Sequence, residues 1–178
     1  MNDLKSKGFL LDNDISSRNN KVFYNKEENR VVIATAGTHS FSDAVTDLQM
    51  GVFGYDNPLG LKRTKRYKES QDTVSRVREK YKNTDKVFVG HSLGGTIASQ
   101  LAQENKGSKA ITYNRFFHPL YEGKPKKNVI GIANYGDPLY KMWRYKADYV
   151  IPSRSNNPLT NHSLNQLDKN LNMESILS

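Results

Sequence analysis

The segment 90–94 reads Gly-His-Ser-Leu-Gly. A serine flanked by glycines at this spacing suits nucleophilic attack on a carbonyl carbon. A serine on a sharp turn exposes its Oγ, and glycines two positions to either side lack the Cβ atoms that would obstruct the turn. A mainly apolar run, 86–89, precedes the segment, and a helix-compatible run, 95–102, follows it. Strand, G-x-S-x-G and helix in this order predict that Ser92 is a nucleophile at a strand-to-helix elbow.

A serine hydroxyl needs a base to take its proton, usually a histidine that a buried carboxylate orients. Where such an elbow lies on an α/β fold, the chain order is serine, acid, histidine, which leaves His118 and His162. His162 lies at a loop-to-helix junction, whereas His118 comes before any plausible acid, so we predict His162 as the base. His91 lies inside the elbow, and we expect its side chain to point elsewhere.

The acid is expected between the nucleophile and the base. Asp137 follows the strand-like run 129–133, and the carboxyl ends of parallel strands form the active edge of an α/β sheet. Asp148 is the alternative because it also precedes His162, but it begins a strand and should face the opposite edge. We predict Asp137 as the acid, with a simple Asp-Pro turn as the structural alternative.

The negatively charged oxygen that forms during acyl transfer needs preorganised hydrogen-bond donors. The main-chain N–H of Leu93 is the first predicted donor, because it opens the helix after the elbow. The second should come from the loop 36–40, where Thr38 offers its N–H and its hydroxyl. The structural alternative for Thr38 is to cap the next helix, a role that suits Ser40 better.

Apolar periodicity predicts the elements that would hold these groups. Strands are predicted at 21–24, 30–34, 86–89, 109–113, 128–134 and 148–151. Helices are predicted at 41–50, 66–82 and 95–104, with a closing helix marked by Leu164, Leu167 and Leu171. This alternation favours an α/β fold, a three-layer α/β sandwich with a mostly parallel sheet and an N-terminal antiparallel hairpin.

Length and composition limit the remaining choices. The chain has 178 residues and no cysteine. The length predicts one compact domain over 1–178, with 1–20 as a mobile arm or a short edge element. We expect no metal and no other cofactor. The first residues lack the apolar region of a secretory signal, and no run reaches the roughly 18 apolar residues of a membrane span. The sequence leaves open whether the protein stays in the cytoplasm or is carried in a particle such as a virion.

The formal net charge of +9 favours anionic partners. Basic residues at 62–66 stand beside apolar residues at 53–61, which favours peripheral contact with an anionic membrane surface. The structural alternative is that these aromatic side chains belong to the core and that the charges form a solvated helix face. The charge is spread along the chain and no nucleic-acid motif occurs, which argues against nucleic acid as a partner.

Several segments together resemble class 3 lipases, the fungal-type triacylglycerol lipase family of α/β hydrolases. They are 31–38, Ser40 with 43–48, 89–95, 136–138 and 161–163, within a likeness over most of 21–167. The resemblance implies hydrolysis of carboxylic esters, often at a lipid–water interface under a movable lid. It assigns the triad to Ser92, Asp137 and His162, and the oxyanion hole to Thr38 and Leu93.

The chain departs from the family pattern in two places and is shorter than typical members. Thr35-Ala36 stands where the family often has Phe-Arg, and 114–119 reads Asn-Arg-Phe-Phe-His-Pro where the family usually has Gly-x-Pro-x-x-Gly. Aromatic side chains of two regions are candidates for binding an acyl group: Phe53 and Tyr55, beside the basic residues, or Phe116 and Phe117.

The sequence thus predicts a serine carboxylic-ester hydrolase that acts on lipid esters, a lipase or phospholipase, through an acyl-enzyme. A soluble short-chain esterase, a thioesterase or a peptidase would use the same triad, so these reactions stay open. A non-enzymatic protein that binds an anionic surface or nucleic acid on a hydrolase scaffold is the other alternative.

Overall fold

The computed structural model describes residues 2–37, 59–116, 127–143 and 147–167. The strands are β1 (Leu10–Leu11), β2 (Asn20–Asn25), β3 (Arg30–Thr35), β4 (Asp85–His91), β5 (Lys109–Tyr113), β6 (Val129–Asn134) and β7 (Tyr149–Ile151). The helices are α1 (Asn2–Ser6), α2 (Leu59–Arg63), α3 (Lys65–Lys80), α4 (Leu93–Glu104), α5 (Pro138–Trp143) and α6 (Pro158–His162), followed by a 3₁₀ turn at Leu164–Gln166.

The seven strands form one sheet in which each strand lies beside the strand before it in the chain. β1, β2 and β3 pair antiparallel, and β3 through β7 pair parallel. Asn29 has a φ of 48° in the turn between β2 and β3, a left-handed conformation that asparagine tolerates better than most residues. The predicted α/β fold with its N-terminal antiparallel hairpin is confirmed.

One face of the sheet packs against α3 and α4. Phe88 of β4 is fully buried there, together with Val77 of α3 and Leu101 of α4. α3 begins at a side-chain cap, because the Oγ1 of Thr64 accepts a hydrogen bond from the N–H of Tyr67 at 3.1 Å. The other face carries a second apolar cluster, to which Ile111 and Ile132 belong. Burial on both faces fixes the parallel strands and therefore the loops at their carboxyl ends.

The predicted strands and the helices α3 and α4 are observed within one or two residues of the expected bounds. The closing helix is not observed in the described part of the chain. Residues 164–166 form a single 3₁₀ turn, which begins at the capping side chain of Ser163 and ends because Leu167 is extended (ψ 120°). The predicted helix at 41–50 lies outside the described residues. Among the helices that are described, none has the length and apolarity to cross a bilayer.

Candidate active site

Ser92 lies at the junction between β4 and α4 in a strained backbone conformation. Its φ is 54° and its ψ is −127°, a combination that residues with a Cβ rarely adopt. Its own N–H donates to the carbonyl oxygen of Tyr113 at 3.1 Å, and its carbonyl accepts from the N–H of Thr96 at 3.1 Å. The residue is 3% exposed. The elbow that the G-x-S-x-G segment predicts is therefore present.

Close backbone contacts explain the glycines of this elbow. A Cβ on Gly90 would overlap the main chain of Gly94, and a Cβ on Gly94 would overlap the main chain of Thr35 and Ala36. The first contact lets the chain turn sharply after β4. The second lets α4 begin directly against the end of β3.

The loop after β3 reaches the elbow, which bears on the predicted oxyanion hole. A Cβ on Gly37 would lie 2.8 Å from the carbonyl oxygen of His91 and 3.5 Å from the Cβ of Ser92. Leu93 is the first residue of α4, and N–H groups in a first helical turn have no partner within the helix. Thr38, the other predicted donor, directly follows Gly37 and lies outside the described residues.

The structure brings Asp137 and His162 together. The Nδ1 of His162 lies 2.5 Å from the Oδ2 of Asp137, and the two residues are 6% and 0% exposed. The Oδ1 of Asp137 also accepts a hydrogen bond from the N–H of Tyr140 at 2.9 Å, at the start of α5. The amino end of a helix favours a carboxylate, so this contact holds Asp137 in place.

Asp148, the alternative acid, is occupied elsewhere. Its Oδ2 accepts a hydrogen bond from the N–H of Gly131 at 2.7 Å, and its own N–H donates to the carbonyl of Gly131 at 2.9 Å. Gly131 lies in the body of β6, away from the end of the strand that leads to Asp137. His118, the alternative base, lies outside the described residues.

The expectation that the His91 side chain points elsewhere is wrong. Its ring centroid lies 4.7 Å from that of His162, and its Nε2–H donates to the main-chain carbonyl of His162 at 2.6 Å. Burial, and then the nearby His162, lowers the pKa of His91 to about 4. His91 is therefore a neutral hydrogen-bond donor at neutral pH, and it joins the elbow to the segment that carries His162.

Of the predicted acyl-binding aromatics, only Phe116 is described. It is 2% exposed, and its main-chain carbonyl accepts a hydrogen bond from the Oγ1 of Thr96 at 3.1 Å. Phe53, Tyr55 and Phe117 lie outside the described residues. The acyl-binding role of all four stays a prediction.

An apolar cavity of about 390 Å³ adjoins the elbow. Gly37, Gly90 and His91 line the part next to Ser92. Apolar side chains of the second sheet face and of the 3₁₀ region line much of the rest: Ala34, Val89, Ile111, Ile132, Leu164 and Leu167. A cavity of this size is in the range of small-molecule sites. The cavity was not predictable from the sequence, because its walls come from six separate segments.

The predicted basic group divides into two kinds of residue. Lys62 pairs with Glu104 at 2.6 Å, and Arg66 donates to the main-chain carbonyls of Ala36 and Gly37. Arg63 and Lys65 are exposed. Arg66 thus holds the loop that leads to Thr38, whereas Lys62 reaches Glu104, the last residue of the helix that begins after Ser92. Within the described ranges, no set of three or more acidic or histidine side chains could hold a metal ion.

Comparison with solved structures shows a common fold with fungal lipases. A lipase from Rhizomucor miehei in its propeptide complex is 15% identical, with a TM-score of 0.56 over 89% of this chain and 67% of that chain. Lipase II from Rhizopus niveus is 18% identical, with a TM-score of 0.54 over 75% of this chain and 60% of that one. The Lip2 lipase from Yarrowia lipolytica is 16% identical, with a TM-score of 0.51 over 79% of this chain and 63% of that one.

The chain spans less than two thirds of the length of the Rhizopus and Yarrowia enzymes. No curated protein matches the sequence. The family model described as Lipase (class 3) matches residues 32–146, more than half of the chain and a range that contains both the elbow and Asp137. The protein belongs to the class 3 lipase family.

Proposed function

We propose that the protein is a serine carboxylic-ester hydrolase that acts on lipid esters. The observation that carries the proposal is the buried contact between Asp137 and His162. The hydrogen bond from His91 to the His162 carbonyl connects this pair to the elbow in which Ser92 is strained, which supports Ser92 as the nucleophile. Membership of the class 3 lipase family supports the same reaction.

In this mechanism the carboxylate of Asp137 accepts the Nδ1–H of His162, which leaves Nε2 as the proton acceptor. His162 takes the proton of the Ser92 hydroxyl as Oγ attacks the ester carbonyl carbon. The protonated imidazole then gives this proton to the departing alcohol. An acyl-enzyme on Ser92 remains, and water activated by His162 hydrolyses it to the free acid.

Main-chain N–H groups stabilise the negatively charged oxygen of each tetrahedral intermediate. Leu93 is one proposed donor, because its N–H opens α4 next to Ser92. Thr38 is the second, and it is supported by the close approach of Gly37 to the Ser92 Cβ. The loss of one such donor is expected to lower turnover by roughly 100- to 1,000-fold.

A lipid substrate is supported by apolar surface around the site. Large apolar side chains are exposed at positions close in the chain to Asp137 and His162: Tyr135 is 64% exposed, Leu159 54% and Leu164 53%. The apolar cavity reaches the elbow and would accept the acyl chain. Exposed apolar groups around a reactive centre are typical of proteins that contact lipid.

The test is hydrolysis of p-nitrophenyl esters of increasing chain length by the wild-type protein and by Ser92→Ala. We expect turnover that depends on Ser92 and rises with chain length. Turnover that depends on Ser92 but is best with short chains, or with thioesters, would instead identify a soluble esterase or thioesterase. Without any turnover that depends on Ser92, the enzymatic proposal fails and the non-enzymatic alternative takes its place.

A further inference from the structure

The main-chain carbonyl of His162 accepts hydrogen bonds from two side chains. The Nε2–H of His91 donates at 2.6 Å, and the Nδ2 of Asn114 donates at 3.3 Å. The same Nδ2 also donates to the carbonyl of Asn161 at 3.0 Å, so each of its two hydrogens has an acceptor. A buried carbonyl with two donors is strongly fixed in position. The proposed base is therefore held through its backbone as well as through its ring.

The other end of the same side chain is bound to the segment that carries the acid. The Oδ1 of Asn114 accepts a hydrogen bond from the N–H of Asn134 at 2.7 Å. Asn134 in turn shapes the turn that leads to Asp137: its Oδ1 accepts from the N–H of Gly136 at 2.8 Å, and its carbonyl accepts from the N–H of Asp137 at 3.0 Å. One amide group thus connects the segment that carries Asp137 to the segment that carries His162.

The backbone at Asn114 explains which residues could replace it. Its φ is 44° and the residue is fully buried at the end of β5. Glycine would satisfy this left-handed conformation, and asparagine tolerates it, but most other residues would be strained. Glycine has no side chain to bridge the two segments. Asn114 therefore meets the backbone requirement and adds hydrogen bonds that glycine cannot make.

We propose that Asn114 is a positioning residue for the hydrolytic reaction: its amide sets the position of His162 relative to Asp137 and Ser92, with His91 as the second donor to the same carbonyl. The inference rests on the proposed function. Small displacements of a catalytic group are costly, and about 1 Å can lower the rate by roughly 100-fold. Loss of the amide should therefore act on the chemical step and leave substrate binding nearly unchanged.

The test compares Asn114→Gly with Asn29→Gly. Asn29 is a matched control, because its φ is 48° and its Nδ2 donates to the carbonyl of Asn83 at 2.7 Å, in the turn between β2 and β3. For Asn114→Gly we expect kcat to fall by about 10- to 100-fold with KM changed by less than about threefold. For Asn29→Gly we expect both constants to stay within about twofold of the wild type.

A spectroscopic readout separates this inference from the proposed function. The Nδ1 proton of His162, donated to Asp137 Oδ2 in a short hydrogen bond, is expected to give a strongly deshielded signal in a proton NMR spectrum. We expect this signal to be weakened or lost in Asn114→Gly and retained in Asn29→Gly. If wild type has no turnover that depends on Ser92, the proposed function fails, and the NMR comparison still decides whether Asn114 positions His162.

If Asn114→Gly fails to fold, variants of His91, the second donor to the His162 carbonyl, test the same arrangement. His91→Phe removes the hydrogen bond to the His162 carbonyl, whereas His91→Gln keeps an N–H donor on a side chain of similar reach. We expect kcat to fall in the Phe variant and to be restored in part in the Gln variant. The inference is overturned if a folded Asn114→Gly protein keeps its kcat within about twofold and its NMR signal intact, or if the two His91 variants are equally active.

Discussion

The Nδ1 of His162 and the Oδ2 of Asp137 lie 2.5 Å apart, and both side chains are shielded from solvent. When Nδ1 donates its proton to the carboxylate in a hydrogen bond, Nε2 of the neutral imidazole is an acceptor. The same contact would stabilise the imidazolium that forms when His162 takes a proton. This geometry makes the acid the most direct place to test the proposed reaction.

Replacement of Asp137 by Asn should remove catalysis while the fold is retained. The amide has nearly the same shape, but its NH₂ group can face Nδ1 and favour the wrong tautomer of His162. We expect kcat to fall by about 1,000- to 10,000-fold. Steady-state kinetics with a p-nitrophenyl ester measure the loss, and circular dichroism checks the fold.

Asp148→Asn provides the matched control for this change. The Asp148 carboxylate accepts a hydrogen bond from the N–H of Gly131, a contact that an Asn oxygen can keep. We expect kcat to stay within about twofold and the free energy of unfolding to fall by less than about 1.5 kcal/mol. A large loss of activity in Asp148→Asn, with Asp137→Asn active, would assign the acid to Asp148.

The protein should be more stable with glycine at position 92 than with serine or alanine. Its φ of 54° and ψ of −127° cost little for glycine, whereas any residue with a Cβ is strained there. We expect Ser92→Gly to raise the free energy of unfolding by about 1 kcal/mol relative to Ser92→Ala, and both to lack hydrolytic activity. Urea unfolding measures the difference. Equal stability of the two variants would show that the elbow stores no backbone strain.

The stability of the protein should fall in mild acid because of His91. Burial and the nearby His162 lower its pKa from 6.5 to about 4. Between these values the unfolded chain binds a proton that the folded chain excludes, so stability increases with pH across this window. Among the described residues, two ionisable groups face His91: His162 lowers its pKa further, and Asp137 raises it in part. The net shift corresponds to a loss of roughly 3 kcal/mol once both states are protonated.

Urea unfolding at several pH values between about 4 and 7 tests this prediction. In His91→Gln, which has no titrating group at this position, this part of the pH dependence should disappear. An unchanged slope in His91→Gln would mean that other groups, and not His91, cause the loss of stability in acid.

Contact with an anionic membrane should depend on Arg63 and Lys65, which are exposed and close in the chain to Arg66, the residue that binds the loop after β3. Reversal of both charges to Glu should weaken binding to vesicles that contain anionic lipid, by about 1 kcal/mol per residue near the surface. Sedimentation with vesicles of increasing anionic content, at low and high salt, measures the effect.

Lys26→Glu with Lys106→Glu is the control for this experiment. It makes the same change in net charge at exposed positions, one in the turn between β2 and β3 and one just after α4. Vesicle binding is expected to change less than in the Arg63 and Lys65 variant. Vesicle binding that does not change with anionic lipid content or with salt would contradict an electrostatic contact.

Local patterns were sufficient to predict most of the fold and the strand ends that carry Ser92 and Asp137. The run 129–134 ends directly before the turn to Asp137, so the position of this acid follows from the strand alone. The leucine spacing from 164 was misleading in the described part of the chain, because it has helical period but the backbone becomes extended at Leu167. Periodicity does not report where the backbone leaves the helical conformation.

The roles of His91 and Asn114 were not predictable from periodicity. Both depend on the carbonyl of His162, which is far away in the chain and close only after folding. The departure from a glycine-containing pattern at 114 was visible in the sequence, but what the Asn side chain contacts required the structure. The cavity next to the elbow was missed for the same reason, since its walls come together only in the folded sheet.

The sequential strand order has a consequence for synthesis of the chain. Because each strand lies beside its predecessor, the sheet can grow in the order in which strands leave the ribosome. The elbow is complete once β4, α4 and β5 have assembled, long before residues 158–162 are translated. A nascent chain would therefore expose the Ser92 hydroxyl before His162 is made, and the proposed ester hydrolysis would begin only when the late segment docks.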